Sequence, residues 1–431
     1  MKIYNTLTKR KEELVSIKDK KINLFVCGPT VYDYSHLGHA KTYTQFDFIV
    51  RYLRSRGFDV FYLQNITDID DKILNRAKET KSSWKELSQK FEELYFEDMR
   101  NLHNTSVSKY ARATDYIEQI VKQVKKLIEK GYAYKISDGI YFEIGKFPDY
   151  GKLSGRTEVK QDDSISRIDE NKEKRGWNDF CLWKFSKPDE PSWPTDIGNG
   201  RPGWHIEDTA ITENNFGPQY DIHGGAVDLI IPHHEAEIAQ MEAASGFKPL
   251  VKYWMHTGFL NINNEKMSKS KGNFTTIRDA LKKCDYRTLR FLFISNHYKS
   301  TLNFDEKILN QAKDALNRID EFVFNIKNRD NKEDDVKSLG NLKNDVYKNI
   351  DDDFNTPVAF AALFDFIRDQ NTKKKGGART LEFLKEVDSF FDFMLFETYS
   401  DSEVESKVTE RNKLRKEGKF EEADKVRLEL E

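Results

Sequence analysis

The segment from Lys21 to Thr67 constrains the fold more than any other. KINLFVCG is an apolar run that stops at Gly28-Pro29, AKTYTQFDFIVRYLRSRG repeats apolar residues at helical spacing, and DVFYLQNIT is apolar again. Phe46, Ile49, Val50 and Leu53 share one helical face, and Gly57 ends the helix. Two strands joined through a helix lie parallel with a right-handed crossover. Ligands of such sheets sit beyond the carboxyl ends of the strands, so the joining stretch CGPTVYDYSHLGHAK faces a site.

That stretch holds His36, Gly38 and His39 where the strand gives way to the helix. Backbone N–H groups at a helix start, with histidine rings beside them, suit phosphate oxygens, and Gly38 leaves room for a nucleotide. Taken alone, a capping or core pair of histidines is the commoner case. Far downstream, NNEKMSKSKGN sets Lys266, Lys269 and Lys271 among small polar residues. Lysines on such a loop can close over a triphosphate and offset charge developing on its α-phosphate and leaving pyrophosphate. In IPHHEAEIA, Pro232 suits a helix start, which puts His233 and Glu237 at i and i+4 on one face. They could share a metal or form a surface pair. Cys27, at the strand end, is either a thiolate ligand or a small buried residue.

The 431 residues exceed what one core accommodates, about 250 to 300, so several domains are expected. From about 105 to 200 the pattern loosens into helical IEQIVKQVKKLIEKG, short pieces such as GIYFEI, and charged loops, which reads as a connective insertion. Sheet-like signals return in YDIHGGAVDLIIPHH. Residues 1–305 are the expected α/β catalytic domain, with a lysine-loop contact segment at about 262–305. Beyond Asp305, ILNQAKDALNRIDEFVFNI and PVAFAALFDFIRDQ indicate an α-helical domain, 306–431, in which KKKGGAR is an interhelical loop. Lys+Arg 70 against Asp+Glu 72 leaves no overall basic field, so nucleic-acid contacts must come from local patches. Cys27, Cys181 and Cys284 are odd in number and far apart, which fits a reducing compartment. MKIYNTLTKRKEEL has no apolar signal core, and no apolar run reaches about 18 residues. A cytoplasmic chain with no membrane contact is expected.

His-Leu-Gly-His followed by Lys-Met-Ser-Lys-Ser resembles the two signature motifs of class I aminoacyl-tRNA synthetases. FVCGPTVYDYSHLGHA, NITDIDDKI, LWKFSKPDEPSWP, GRPGWHIE, DIHGGAVDLIIPHHEAEIAQ, KMSKSKGNF, HYKSTLNF and DDDFNTP resemble the cysteinyl-tRNA synthetases, from about residue 25 to 357. The resemblance implies a Rossmann-type parallel-sheet domain split by an insertion, then a helical anticodon-binding domain. It implies that L-cysteine attacks ATP to give cysteinyl-adenylate, which then charges tRNA-Cys, with Mg²⁺ on the phosphates and a monomeric enzyme. His36, His39, Lys266 and Lys269 would be catalytic, Gly38, Asp228 and Lys269 would hold ATP, and Thr67 and Trp204 would line the amino-acid pocket.

One Zn²⁺ per monomer is also implied, gripping the substrate thiolate and so rejecting serine. The family's ligands, two cysteines, a histidine and a glutamate, map to Cys27, residue 208, His233 and Glu237. Position 208 departs from that pattern. It is Asp208, which matches a thiolate in charge but is a harder ligand. Ala226 replaces a usual glycine, and the chain stops after RNKLRKEGKFEEADKVRLELE, where a short extra segment usually follows. A relative that joins cysteine to an amino-sugar and a non-catalytic tRNA-binding paralogue are the other readings. The helices after Asp305 and the intact His36, His39 and Lys269 weigh against them.

Overall fold

A computed structural model describes residues 1–156, 171–267, 273–329, 332–396, 407, 409–411, 413–415 and 417–430. An antiparallel hairpin, β1 (Lys2–Asn5) and β2 (Arg10–Glu13), precedes the βαβ unit read from the sequence. That unit is β3 (Lys21–Val26), α1 (Leu37–Ser55) and β4 (Asp59–Ile66), with β3 and β4 parallel. Helix α1 starts at Leu37, ahead of the amphipathic run, because His36 caps it. Gly57 follows its last turn at φ 85°, a left-handed conformation that a side chain would strain.

Helices α2 (Asp71–Thr80) and α3 (Trp84–Asn101) lead to β5 (Lys109–Arg112), which pairs parallel with β4. The region read as an insertion from about residue 105 therefore opens with a strand of the main sheet. KYAR is too short and charged to signal a strand, and it becomes one by adding to the β4 edge. Ile120, Val124 and Leu127 of α4 (Ile117–Glu129) pack in the same cluster as Phe25 and Leu63. The separate layer comes later, an antiparallel sheet of β6 (Ala133–Ile136), β7 (Gly139–Phe142), β8 (Phe180–Phe185) and β9 (Gly200–Pro202) in that order.

Next come α5 (Ile206–Phe216), β10 (Tyr220–Ala226), α6 (Glu235–Ser245) and β11 (Val251–Thr257). They complete a parallel sheet ordered β11-β10-β3-β4-β5. Strand order reverses between β10 and β3, so the connections leaving their carboxyl ends diverge and open a crevice.

A small sheet of β12 (Leu260–Ile262), β13 (Glu265–Lys266) and β14 (Leu302–Phe304) spans α7 (Ile277–Leu281) and α8 (Tyr286–Ile294) in the sequence. Helices α9 (Glu306–Asn328), α10 (Val336–Ile350), α11 (Thr356–Lys373) and α12 (Ala378–Phe391) follow, and a further helix covers Phe420–Leu430. The core crosses residue 305 without a break. Phe48 of α1 stacks on Phe391 at 5.5 Å, and Tyr52 meets Phe390 edge-on at 5.2 Å. Asp353 Oδ1 accepts from Tyr4 N and Tyr298 OH, each at 2.7 Å, tying the hairpin and contact segment to the helical region. Among the described residues, no helix is long and apolar enough to cross a membrane.

Candidate active site

The crevice between β3 and β10 deepens into a cavity of about 370 Å³. Its walls include Cys27, His36, Gly38, His39, Thr67, Trp204, Asp208, Asp228 and His233. Glu237 lies within ligand distance of Cys27, Asp208 and His233.

At one end the two signature histidines brace each other. His39 N–H donates to His36 Nδ1 at 3.3 Å, and His36 N–H donates to His39 Nδ1 at 3.4 Å, a reciprocal cap on α1. The rings stack with centroids 3.8 Å apart. Because each Nδ1 accepts from backbone, each ring carries its proton on Nε2 and is a donor there. Burial, then the neighbouring His36, push His39 well below the usual histidine range, so it stays neutral. Gly38 is required by space, since a Cβ there would come within 2.9 Å of the His36 ring. Asp228 sits in the single turn Val227–Leu229 that follows β10, beside Ala226.

The segment that follows the lysine loop, Phe274 to Ile277, returns to the same place. Leu37 N donates to Thr275 O and Ile277 N to Ser35 O, while Phe274 meets the His36 ring edge-on. Lys266 places its backbone in β13, opposite Asn261. Its side chain and the whole of Lys269 lie outside the described residues, as does Lys271.

At the other end lies a buried cluster of donors. His233 Nε2 stands 2.9 Å from Asp208 Oδ2 and 2.8 Å from Glu237 Oε1, and Cys27 Sγ stands 3.9 Å from that same Oε1. Pro232 does not start α6. It lies in an irregular turn, Ile230–His234, that brings His233 to the helix, and the i, i+4 contact with Glu237 still forms. One Nε2–H cannot serve two carboxylates at once, Asp208 Oδ1 has no hydrogen-bond partner, and Glu237 Oε2 stands 3.3 Å from His223 Nε2. Burial pushes Asp208 up to about 7, which the bond to His233 only partly offsets, and burial drives Glu237 up as well. Burial and then the charges of Glu237 and Asp208 raise the Cys27 thiol. A divalent cation would resolve all of these at once. Ligand atoms around tetrahedral zinc stand about 3.3 to 3.8 Å apart, given bonds of about 2.0 to 2.3 Å; the contacts here, at 2.8, 2.9 and 3.9 Å, bracket that range, so the donors would need to shift by only about half an ångström. Cys27, Asp208, His233 and Glu237 thus fit a metal.

Sequence reasoning passed over the residues behind this cluster. His223 Nε2 and His234 Nε2 approach Cys27 Sγ at 3.4 and 3.2 Å from the other side, and with Cys27 and Glu237 they form a second, overlapping donor set. Their other nitrogens are held by Tyr220 OH at 2.7 Å and His256 at 2.8 Å. Burial keeps both histidines well below their usual range. His205 Nδ1 lies 2.8 Å from His233 Nδ1, and Trp204 stacks on the His233 ring at 4.2 Å. Thr67 is buried against Glu207, to which its hydroxyl donates. His223 and His256 stand on strands at the crevice, a position that could have singled them out.

Residues 13–314 match the family described as tRNA synthetases class I (C) catalytic domain, and residues 345–394 match the DALR domain. The chain is 44% identical over 433 residues to the cysteine–tRNA ligase of Thermoplasma acidophilum, covering 99% of this chain and 96% of the relative. It is 43% identical over 448 residues to that of Carboxydothermus hydrogenoformans, covering 100% and 96%. Among solved structures, the methionyl-adenylate-bound methionyl-tRNA synthetase of Mycobacterium tuberculosis superposes with a TM-score of 0.63 at 14% identity, over 86% of this chain and 88% of that one. The LeuRS of the LeuRS-tRNA-LeuAMS complex from Agrobacterium radiobacter K84 superposes with a TM-score of 0.63 at 10% identity, over 86% and 84%. At such identities these structures bear on the fold alone.

Proposed function

The chain belongs to the class I aminoacyl-tRNA synthetases and, among them, to the cysteine–tRNA ligases, and on that premise we propose how its cavity divides the work. The enzyme activates L-cysteine with ATP and transfers it to tRNA. The observation that carries the residue assignment is that one cavity joins the stacked His36–His39 pair to the Cys27–Asp208–His233–Glu237 cluster.

Thr67 and Trp204 hold cysteine, with its carboxylate turned towards the α-phosphate of ATP. His36 and His39 donate from Nε2 to phosphate oxygens, and the neutrality of His39 lets it do so without binding the ground-state triphosphate too tightly. Gly38 gives the nucleotide access to the start of α1, and Asp228 receives the ribose hydroxyls. Lys266 and Lys269 offset charge on the departing pyrophosphate, where Mg²⁺ accompanies ATP. Cys27, Asp208, His233 and Glu237 would hold one zinc ion, which when bound supplies a soft centre that prefers a thiolate to a hydroxyl. The reducing cytoplasm keeps Cys27 available for it. The helical region binds tRNA-Cys, and the enzyme acts as a monomer. Matches that span the chain, helical region included, favour tRNA over an amino-sugar as the acceptor.

Cysteine-dependent ATP–pyrophosphate exchange, run beside serine, followed by charging of tRNA-Cys, tests this reading. The expected result is exchange with cysteine and not serine, and one zinc per chain by elemental analysis. Active protein that contains no metal would refute the zinc assignment.

A further inference from the structure

Behind the amino-acid wall, the backbone dictates the direction of a short chain of hydrogen bonds. Gly28 N–H donates to Asn65 Oδ1 at 2.5 Å, so the amide of Asn65 must turn Nδ2 towards Thr67 and Glu207. Nδ2 reaches Glu207 Oε1 at 3.3 Å and Thr67 Oγ1 at 3.4 Å. A hydroxyl has a single proton, and Asn65 offers Thr67 only N–H groups. That proton therefore goes to Glu207 Oε1, which the Thr67 hydroxyl contacts directly. What Thr67 Oγ1 has left for the cavity it lines is a lone pair. A group that can only accept selects a donor. Of the groups on cysteine, the carboxylate is repelled, the thiol is a weak donor, and the ammonium is a strong one.

Glu207 is 1% exposed, so it holds the Thr67 hydroxyl from within the fold. We propose that Glu207 is a positioning residue that, acting through Thr67, commits the pocket to the α-ammonium of the amino acid. The proposal rests on reading the cavity as the cysteine site.

The test compares two ligands by calorimetry, the sulfamoyl analogue of cysteinyl-adenylate and the same compound without its amino group. The native chain should prefer the amino form by about 10- to 100-fold, the range of a charge-assisted hydrogen bond. Glu207→Leu should remove most of that preference. Glu207→Gln should keep it, because the N–H groups of Asn65 turn the amide oxygen of Gln into the accepting position. With Thr67→Val already in place, Glu207→Leu should change the ratio no further. A structural role alone would weaken both ligands equally and leave the ratio intact, and that result overturns the proposal. Should Glu207→Leu not fold, Thr67→Val must abolish the preference by itself, and its persistence there is equally fatal. Native protein that binds neither ligand refutes the reading of the cavity, whereas equal binding of both refutes the polarity assigned to Thr67.

Discussion

Replacing Gly38 with alanine should separate activity from stability. A Cβ at this position would stand 2.9 Å from Cε1 and Nδ1 of His36, where ordinary contact begins at 3.4 Å, so the ring must retreat by about half an ångström. The methyl also favours the helix, by about 0.5 to 1 kcal/mol over glycine. Against this, the retreating ring loosens the cap made by His36 Nδ1 on His39 N–H, which is worth about 1 kcal/mol. The two terms oppose each other, and stability should change by less than about 1 kcal/mol. Catalysis has no such compensation. A misplacement of about 1 Å can cost about 10²-fold, so a shift of half that size should lower the pyrophosphate-exchange rate by about tenfold or more. Exchange and thermal unfolding would be measured on the same preparation. Gly340→Ala serves as the control, since it lies within α10 with nothing near its Cβ, and it should gain stability with full activity. A folded Gly38→Ala enzyme with native exchange would refute the argument that His36 must stand where glycine lets it stand.

Asp208→Ala or Cys27→Ala should lose the metal by elemental analysis and lose discrimination against serine, whereas Asp208→Cys should stay active and resist chelators better, because a thiolate holds zinc more firmly than a carboxylate. Stoichiometric zinc retained in Asp208→Ala would remove that residue from the ligand set. Lys269→Ala should leave folding intact and slow cysteine-dependent exchange by about 10² to 10³, and unchanged exchange would end its catalytic assignment. Phe391→Ala, at a side chain 2% exposed and stacked on Phe48, should cost about 3 to 5 kcal/mol. Because that core is continuous with α1, calorimetry should show the catalytic and helical regions melting together, and a separate, unshifted transition for the catalytic region would contradict the shared core.

The parts of this protein legible in its sequence are those governed by short-range spacing. The alternation of KINLFV, α1 and DVFYLQNI follows from apolar periodicity, so the parallel sheet and the place of His36 and His39 at its edge could be read directly. The contact of His233 with Glu237 needs only a turn of helix between them. Asp208 was found by resemblance alone, for nothing local to GWHIEDTAI marks it as a ligand.

What the tertiary structure decided is every meeting between distant segments. KYAR is a strand only because β4 offers it an edge, which no pattern within those residues announces. Cys27 meets His223 and His234 because β10 lies beside β3, a neighbour relation set by sheet order rather than by position along the chain. The helices after Asp305 carry an apolar pattern that calls for a partner without saying which, and the outer face of α1, with Phe48 and Tyr52, supplies it. The direction of the hydrogen bonds from Gly28 through Asn65 to Thr67 and Glu207 is likewise invisible in one dimension. The Asn65 amide and the Thr67 hydroxyl can each donate or accept until packing leaves them one direction.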